Sequence, residues 1–126
     1  MSLTDLLPST LLDLLPSDAP LLPAGQGKII FAQGDVGDLM YVVVEGQAQI
    51  VIDGKVMETV GSGGILGEMA LIDDAPRSAT AVAKTQCVLV PINERRFIDL
   101  AARRPEFALH VMRVQAHRLR RMNTKR

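Results

Sequence analysis

Residues 25–92 contain short apolar runs that alternate with glycine-containing turns, and this pattern most constrains how the chain folds. Each run is four to seven residues long, which is the length of a β-strand rather than of a helix. The runs recur at intervals of roughly ten residues, as is typical of an all-β sandwich, jelly roll or barrel. We therefore predict strands at residues 28–31, 39–45, 47–52, 55–60, 78–83 and 86–92.

The dipeptide Asp53-Gly54 is the strongest turn signal in this region. It supplies the positive φ angles of a type I′ hairpin, so we expect the runs on either side of it to pair with each other. Residues 39–45 are apolar almost throughout, which predicts a strand buried on both faces. Residues 47–52 alternate between polar and apolar side chains, which predicts a half-buried strand.

The two ends of the chain differ from this β region. Residues 1–24 contain leucine pairs interrupted by aspartate and proline, and we expect one or two short amphipathic helices that pack on the domain. At the other end, Asn93 is a suitable cap for a helix that continues to about Arg103. Pro105 suits the first turn of a further helix that continues to about Met122. The sequence thus predicts a mainly β fold with flanking helices.

The length of 126 residues fits one compact domain. We divide the chain into an N-terminal helical segment, 1–24, and a domain, 25–126, that includes the C-terminal helices. No stretch approaches the ~20 apolar residues of a membrane span, and the N-terminus lacks the basic region of a signal peptide. The single cysteine, Cys87, lies in an apolar run and is predicted to be a small buried hydrophobic residue. These features are compatible with a cytoplasmic location, which we expect.

The net charge of zero conceals a strong asymmetry along the chain. Residues 1–102 contain 6 basic and 13 acidic side chains, whereas residues 103–126 contain 8 basic side chains and one acidic side chain. Basic tails bind nucleic acid or acidic lipid surfaces in some proteins and form the solvated face of a terminal helix in others. We favour the solvated face, because no aromatic residues interleave the arginines and no second DNA-reading helix follows.

The last predicted helix carries two apolar stripes. One stripe is expected to pack on the β domain, and the other contacts either a partner helix in a homodimer or a bound ligand that the helix covers as a lid. A coiled coil is weakly indicated, because the stripe spans fewer than three heptads. The stripes consist of Phe107, Val111 and Val114, and of Ala108, Met112, Leu119 and Met122 with Gln115 as a polar interruption.

Residues 63–71 pass from a glycine loop into what we expect to be one helical turn, whose free N–H groups form a natural anion site. Gly67 allows the backbone to approach a ligand closely. Nine residues after Glu68, Arg77 offers a guanidinium fork for two phosphate oxygens. A carboxylate repels phosphate but accepts a hydrogen bond from a ribose hydroxyl. The pattern fits a ligand with a sugar hydroxyl next to an anion, or an ion pair between Glu68 and Arg77 that closes the loop.

The sequences GEMALI at 67–72 and PRSAT at 76–80 resemble the phosphate-binding cassette of cyclic nucleotide-binding domains. Upstream, FAQGD at 31–35, YVV at 41–43 and Gly46 match the family's spacing of strand and turn residues. The family includes catabolite-activator-type transcription factors, regulatory subunits of cyclic AMP-dependent kinase and cyclic nucleotide-gated channels. The resemblance covers about residues 25–122. It implies an eight-stranded, jelly-roll-like β-roll with an N-terminal helix and C-terminal helices, the last of which rearranges on ligand binding.

The resemblance also implies roles for individual residues. Arg77 would hold the cyclic phosphate, and Glu68 would accept a hydrogen bond from the ribose 2′-OH. In relatives that prefer cyclic GMP a threonine often follows the cassette arginine, so the serine here favours cyclic AMP. No cofactor is implied beyond the cyclic AMP or cyclic GMP ligand. Further ligand contacts are implied for Leu66, where an aromatic residue is common in the family, and for Gly67, Met69, Ala70, Ser78 and Ala79. The base contact is expected from the last helix, with Gln115, Arg118 and Arg113 as candidates.

Other functional classes are less well supported. A cupin-type metalloenzyme needs clustered histidine and carboxylate ligands, whereas His110 and His117 lie on the last helix, where we expect both to be exposed. The chain offers no Ser-His-Asp or Cys-His set, so we expect neither a metal site nor an enzyme. A Crp/Fnr-type regulator carries a helix-turn-helix after the long helix, for which the sequence has no room. We therefore expect a sensor module, or a fragment or relative of such a regulator without its DNA-binding domain, or an interaction domain whose pocket does not respond.

Overall fold

A computed structural model describes residues 11–124 of the chain. Eight strands form two four-stranded antiparallel sheets, in the orders β1-β8-β3-β6 and β2-β7-β4-β5. The predicted mainly β fold with flanking helices is confirmed. The strands are β1 Leu22–Ala24, β2 Ile29–Phe31, β3 Leu39–Glu45, β4 Ala48–Ile52, β5 Lys55–Val60, β6 Ile65–Leu66, β7 Thr80–Ala83 and β8 Cys87–Asn93. The helices are α1 Met69–Ile72, α2 Glu94–Arg103 and α3 Pro105–Thr124, and residues 11–14 are also helical.

Strand β3 lies between two hydrophobic cores, as its uninterrupted apolar sequence predicts. Met40 and Val42 pack in the core that contains Phe107 of α3, between the first sheet and the helices. Tyr41 and Val43 point the other way, into the core between the two sheets. Successive side chains of a strand alternate between its faces, so a strand that is covered on both faces needs apolar residues at every position.

The hairpin between β4 and β5 has the predicted turn. Asp53 and Gly54 have φ angles of 50° and 80°, and they connect Ile52 to Lys55, which pair across the two strands. Two consecutive residues with positive φ match the right-handed twist of the strands that they join. The Asp53-Gly54 sequence therefore sets the pairing of β4 with β5.

Two strands fall in segments where the sequence predicted other structure. Leu22–Ala24 pairs with β8 at the edge of its sheet, so the prediction of a helical segment over 1–24 is wrong at its C-terminal end. Pro23 fits an edge strand, which needs fewer backbone N–H donors than a central strand. Ile65–Leu66 pairs with Tyr41 and Val42 of β3, and the predicted helical turn begins only after this pairing. Residues 1–10 of the predicted helical segment lie outside the described residues.

The C-terminal helices begin where the sequence places them. The side chain of Asn93 accepts a hydrogen bond of 2.8 Å from the Arg96 N–H and caps α2, as expected of an asparagine at this position. Pro105 is the first residue of α3. The cysteine prediction is also confirmed, since Cys87 is fully buried, and this burial raises the pKa of its thiol.

His110 is buried in the first turns of α3, so the prediction that both histidines are exposed is wrong for this residue. Neither of its ring nitrogens has a hydrogen-bond partner within the described part of the chain. Burial, and secondarily the charge of Arg113, lowers the pKa of His110 below its usual value. His117 is exposed, as predicted. The periodicity of the helix does not separate the two histidines, because both flank its apolar stripes.

The depressed pKa of His110 predicts a pH-dependent stability. The unfolded chain takes up a proton near pH 6.5 and the folded chain only at a lower pH. The contribution of His110 to the free energy of unfolding should therefore be greatest above pH 6.5. It should decrease as the pH drops from 6.5 through the folded pKa, by up to about 1.4 kcal/mol per pH unit. Urea denaturation between pH 7.5 and pH 5 measures this slope. We expect His110→Leu to flatten the slope and the exposed control His117→Leu to retain it. Equal slopes for His110→Leu and the wild type would contradict this assignment.

Candidate functional site

A cavity of about 370 Å³ lies between the segment 67–79, the β4–β5 hairpin and helix α3. This volume is within the range of small-molecule sites. Most of the side chains on its walls are apolar, and polar ones come from each of these three elements. The hairpin contributes Ile50, Ile52, Met57 and Glu58, and the helix contributes Gln115, Arg118, Leu119, Arg121 and Met122.

Gly67 forms a tight turn at the edge of the cavity. Its φ angle is +71°, a conformation that is strained for residues with a side chain. A Cβ atom at this position would overlap the Nη1 atom of Arg77 and lie 2.9 Å from a ring carbon of Phe31. The next helical turn, α1, is short, and its Leu71 N–H donates to the Glu68 carbonyl over 3.1 Å. The glycine therefore permits the close approach of backbone, arginine and aromatic ring.

Arg77 is a buried arginine, only 8% exposed, and its contacts hold the guanidinium in place. Its Nη1 donates to the Gly67 carbonyl at 3.0 Å, and its Nη2 donates to the Leu39 carbonyl at 2.7 Å. The guanidinium carbon lies 4.0 Å above the centre of the Phe31 ring, in the geometry of a cation–π contact. Burial lowers the pKa of Arg77 from its usual value, and a guanidinium still remains protonated at neutral pH.

The guanidinium of Arg77 retains donors that no protein group uses. Its Nε is buried and has no hydrogen-bond partner among residues 11–124. No carboxylate in this part of the chain forms an ion pair with Arg77. The carboxylates of Asp38, Asp35 and Glu68 are near enough to favour its charge but do not pair with it directly. An anion at hydrogen-bond distance would therefore stabilise this buried guanidinium further. The site is therefore suited to a negatively charged ligand group.

Glu68 is also buried, at 4% exposure, but its partners come from helix α3. Its Oε1 atom accepts a hydrogen bond of 2.8 Å from Gln115 Nε2 and a second one from Arg118 Nη1. The alternative in which Glu68 pairs with Arg77 is thus not the arrangement in the structure. Glu68 and Arg77 line the same cavity with opposite charges and separate partners.

Arg118 connects the cavity to the hairpin as well. Its Nε and Nη2 donate to the two carboxylate oxygens of Glu58 at 3.0 and 3.2 Å, and Nη2 also donates to the Ile65 carbonyl at 2.9 Å. Burial disfavours its charge, but Glu68 and Glu58 outweigh this effect and raise the pKa of Arg118 above its usual value. Sequence reasoning did not identify Glu58, because a single glutamate on a half-exposed strand has no distinguishing pattern.

The structure shows which of the remaining predicted ligand contacts line the cavity. Leu66 does not line the cavity, because it is fully buried between the sheets, where it pairs with Tyr41. The prediction that Leu66 contacts the ligand is therefore corrected, because this residue is part of the core. Of the candidates on the helix, Arg113 is exposed and lies away from the cavity, so the expectation of a base contact from it is also corrected. The predicted contacts that do line the cavity are Gly67, Glu68, Met69, Ala70, Arg77, Ser78, Ala79, Gln115 and Arg118.

The two apolar stripes of α3 have different surroundings. Phe107 and Val111 are buried in the core beneath the first sheet, which is the contact predicted for one stripe. In the other stripe, Leu119 and Met122 line the cavity and remain 59% and 61% exposed. The end of this stripe thus lies where a lid would contact a ligand. The alternative of a homodimer through the helix stays a prediction.

No group of three or more histidine, cysteine or carboxylate side chains within residues 11–124 is placed to hold a metal ion. Within the same range, none of the helices combines the length and hydropathy that crossing a bilayer requires.

Comparison with known proteins extends these observations. Residues 22–104 match the model of the family described as cyclic nucleotide-binding domain. A CRP-like cAMP-activated global transcriptional regulator of Mycobacterium tuberculosis is 31% identical over 115 residues, which cover 87% of this chain and 49% of the regulator. A cAMP-dependent protein kinase regulatory subunit of Eremothecium gossypii is 40% identical over 72 residues, which cover 57% of this chain and 16% of the subunit.

Among solved structures, the catabolite activator protein of Thermus thermophilus superposes with a TM-score of 0.76 at 30% sequence identity. The superposition covers 93% of this chain and 55% of the activator. The chain spans about half the length of both bacterial regulators. The part of α3 that reaches the cavity lies beyond residues 22–104, and so outside the family match.

The contacts of Arg118 predict a large effect of its removal on stability. Arg118→Met leaves the buried carboxylate of Glu68 without its cation, so we expect the free energy of unfolding to fall by about 3 kcal/mol. Chemical denaturation measures this change. Arg113→Met is the matched control on the exposed side of the same helix, and it should change the free energy by no more than about 0.5 kcal/mol.

The double variant Arg118→Met/Glu68→Gln separates loss of packing from loss of the ion pair. Because it removes the unpaired charge, it should be more stable than Arg118→Met alone. If Arg118→Met is as stable as the Arg113→Met control, the ion-pair cluster does not hold the helix on the domain.

Proposed function

The chain belongs to the cyclic nucleotide-binding domain family, and on this basis we propose that it is a sensor module for a 3′,5′-cyclic nucleotide. The observation that carries the proposal is the pair of buried, oppositely charged side chains on one cavity. Arg77 retains guanidinium donors for an anion, and Glu68 offers a carboxylate to a hydroxyl group. A cyclic nucleotide carries a phosphate and a ribose 2′-OH on adjacent carbons of the sugar ring.

In the proposed complex, the cyclic phosphate accepts hydrogen bonds from Arg77, from the hydroxyl group of Ser78 and from the backbone N–H groups of Ser78 and Ala79, two residues that also line the cavity. The ribose 2′-OH donates to Glu68. Among residues 11–124, both hydrogen bonds to this carboxylate involve Oε1, so Oε2 is the oxygen proposed to receive the ligand. The negative charge of Glu68 is balanced by Arg118, so the carboxylate can lie close to the phosphate at a lower electrostatic cost.

We favour cyclic AMP over cyclic GMP as the ligand. The names of two similar proteins, the bacterial regulator and the kinase subunit, refer to cyclic AMP. Ser78 follows the cassette arginine, where relatives that prefer cyclic GMP often have threonine. The module acts as a receptor rather than an enzyme in this proposal, since its two polar anchors bind a phosphate and a hydroxyl but supply no nucleophile.

The proposed output is a shift of helix α3. Gln115 and Arg118 on this helix contact the same carboxylate that would receive the ribose hydroxyl. A ligand that binds Glu68 changes the strength of these contacts, and it shifts the population of helix positions if it binds one of them more tightly. This movement would be transmitted to any group that packs on the helix.

Titration calorimetry with cyclic AMP and cyclic GMP tests the proposal on protein purified free of nucleotide. The wild type should bind cyclic AMP with a micromolar or lower Kd. Arg77→Ala should weaken binding about 100-fold, since it removes two charge-assisted hydrogen bonds to the phosphate. Arg77→Lys, which keeps the charge but not the fork, should lie between the two. Arg113→Ala is the control for loss of a positive charge, and the thermal midpoint of each variant shows that it is folded. Absence of heat for both nucleotides with the wild type would refute the proposal.

The role of Glu68 is tested first by a change in the ligand, which leaves the protein unaltered. The 2′-deoxy analogue of cyclic AMP lacks the hydroxyl, so it should bind the wild type about tenfold more weakly than cyclic AMP does. Glu68→Gln should reduce this difference, because its amide is a weaker acceptor than a carboxylate. Equal affinity of the wild type for both nucleotides would show that Glu68 does not contact the 2′-OH.

A further inference from the structure

The loop before strand β3 lies against the guanidinium of Arg77. The backbone N–H of Arg77 donates to the Asp35 carbonyl at 2.8 Å, and its Nη2 atom donates to the Leu39 carbonyl at 2.7 Å. Between these two contacts, a Cβ atom on Gly37 would overlap the Arg77 Nε atom. The exposed residues Asp35 and Asp38 belong to this loop. Two carboxylates therefore lie around the anion anchor, and in the described part of the chain neither forms an ion pair with it.

These carboxylates act on the charge of the guanidinium. Burial lowers the pKa of Arg77, whereas Tyr41, Asp38, Asp35 and Glu68 act in the opposite direction. An electrostatic effect that favours a cation disfavours an anion in the same place. A phosphate at this position would therefore be attracted by the guanidinium and repelled by its acidic neighbours. The repulsion grows with the number of negative charges on the phosphate.

The charged side chains that line the cavity leave a surplus of one positive charge. Arg118 and Arg121 form ion pairs with Glu58 or Glu68, whereas Arg77 forms none with a described residue. These three arginines and two glutamates are the charged residues on the described cavity walls. A ligand with one negative charge would neutralise the cavity, and a second negative charge would remain unbalanced.

The charge of a phosphate group depends on its number of ester bonds. A phosphodiester, such as the cyclic phosphate of the proposed ligand, carries one negative charge. A phosphomonoester, such as that of a linear nucleotide, has a second pKa of about 6 and carries close to two negative charges at neutral pH. The second charge would lie next to Asp35 and Asp38 and would find no unpaired cation on the described walls of the cavity.

We propose that Asp38, together with Asp35, is a specificity-determining residue that admits singly charged phosphodiesters and rejects doubly charged phosphomonoesters. This inference rests on the proposed function and adds which charge the phosphate site accepts. The Asp35 carboxylate also accepts a hydrogen bond of 3.3 Å from the Ala32 N–H, and thus supports the loop itself. The Asp38 carboxylate forms no ion pair within the described residues, so no cation neutralises it at short range. Asp38 is therefore the residue to change.

Two linear nucleotides separate the effect of charge from the effect of shape. Adenosine 5′-monophosphate carries two negative charges at pH 8, and its methyl ester carries one in a molecule that is also linear. Selection by charge predicts that the methyl ester competes with cyclic AMP at least about tenfold more tightly than the monophosphate does. If both linear nucleotides bind equally weakly, the ring of the ligand is selected by shape, and the inference is overturned.

The pH gives a second measurement on the unaltered protein. About half of the adenosine 5′-monophosphate is singly charged at pH 6, but only about one hundredth of it at pH 8. Its affinity relative to that of cyclic AMP should therefore rise about tenfold from pH 8 to pH 6. The charge of cyclic AMP is the same at both values, so its affinity corrects for protonation of protein groups. A constant ratio of the two affinities contradicts the inference.

A matched pair of variants tests the assignment to Asp38. Asp38→Asn should raise the affinity for adenosine 5′-monophosphate relative to cyclic AMP by about threefold at pH 8, a moderate effect because the residue is exposed and water screens its charge. Glu45→Gln also removes an exposed negative charge, but at the other end of strand β3, about 20 Å from Leu39. It should leave the ratio unchanged. An unchanged ratio in Asp38→Asn overturns the assignment.

The outcomes separate the two proposals. If the wild type binds neither cyclic AMP nor the linear nucleotides, the proposed function fails and the inference fails with it. If cyclic AMP binds through Arg77 but the methyl ester has no advantage over the monophosphate, only the inference about charge fails. Both variants change exposed side chains, so the fold should tolerate them, and the thermal midpoint of each variant confirms this.

Discussion

The guanidinium of Arg118 is the interaction on which the arrangement of the site depends. It lies between Glu68, at the edge of the cavity, and Glu58, on strand β5, and it also binds the Ile65 carbonyl. One side chain thus connects the C-terminal helix, the hairpin and the segment that contains the ligand anchors. Arg121, 3.9 Å from Glu58, adds a second positive charge, so two guanidinium groups balance the two carboxylates. Because the cluster lines the cavity, a group that competes for Glu68 would disturb it.

Arg77 depends on a different kind of constraint, the absence of side chains around it. A Cβ atom on Gly37 or on Gly67 would overlap its guanidinium. The two glycines therefore let the guanidinium lie over the ring of Phe31, with two of its donors fixed on backbone carbonyls. A guanidinium that is fixed before the ligand arrives loses little conformational entropy when it binds. Glu68, by contrast, is held by the side chains of Gln115 and Arg118 on helix α3, so the position of its carboxylate depends on where this helix lies.

Local signals explain which parts of the fold could be predicted from the sequence. The Asp53-Gly54 dipeptide predicts a hairpin turn, and the uninterrupted apolar sequence of β3 predicts a strand buried on both faces. Both predictions are confirmed. Strand β1 was missed because three residues that contain a proline carry no periodicity, and only pairing with β8 makes them a strand. The motif placed Glu68 and Arg77 on one cavity. Glu58 and the burial of His110 arise from how the helix packs on the sheets, a tertiary contact that no local spacing encodes.

The packing of α3 on the sheets also explains why the C-terminal segment is basic. The sequence favoured a solvated face, and part of the helix has one, since Arg113 is exposed. Arg118 and Arg121 instead face carboxylates of the acidic β domain, at 3.0 and 3.9 Å from Glu58. The charge asymmetry along the chain thus serves an intramolecular purpose, because opposite charges hold a helix on a sheet where a cavity reduces the apolar contact between them.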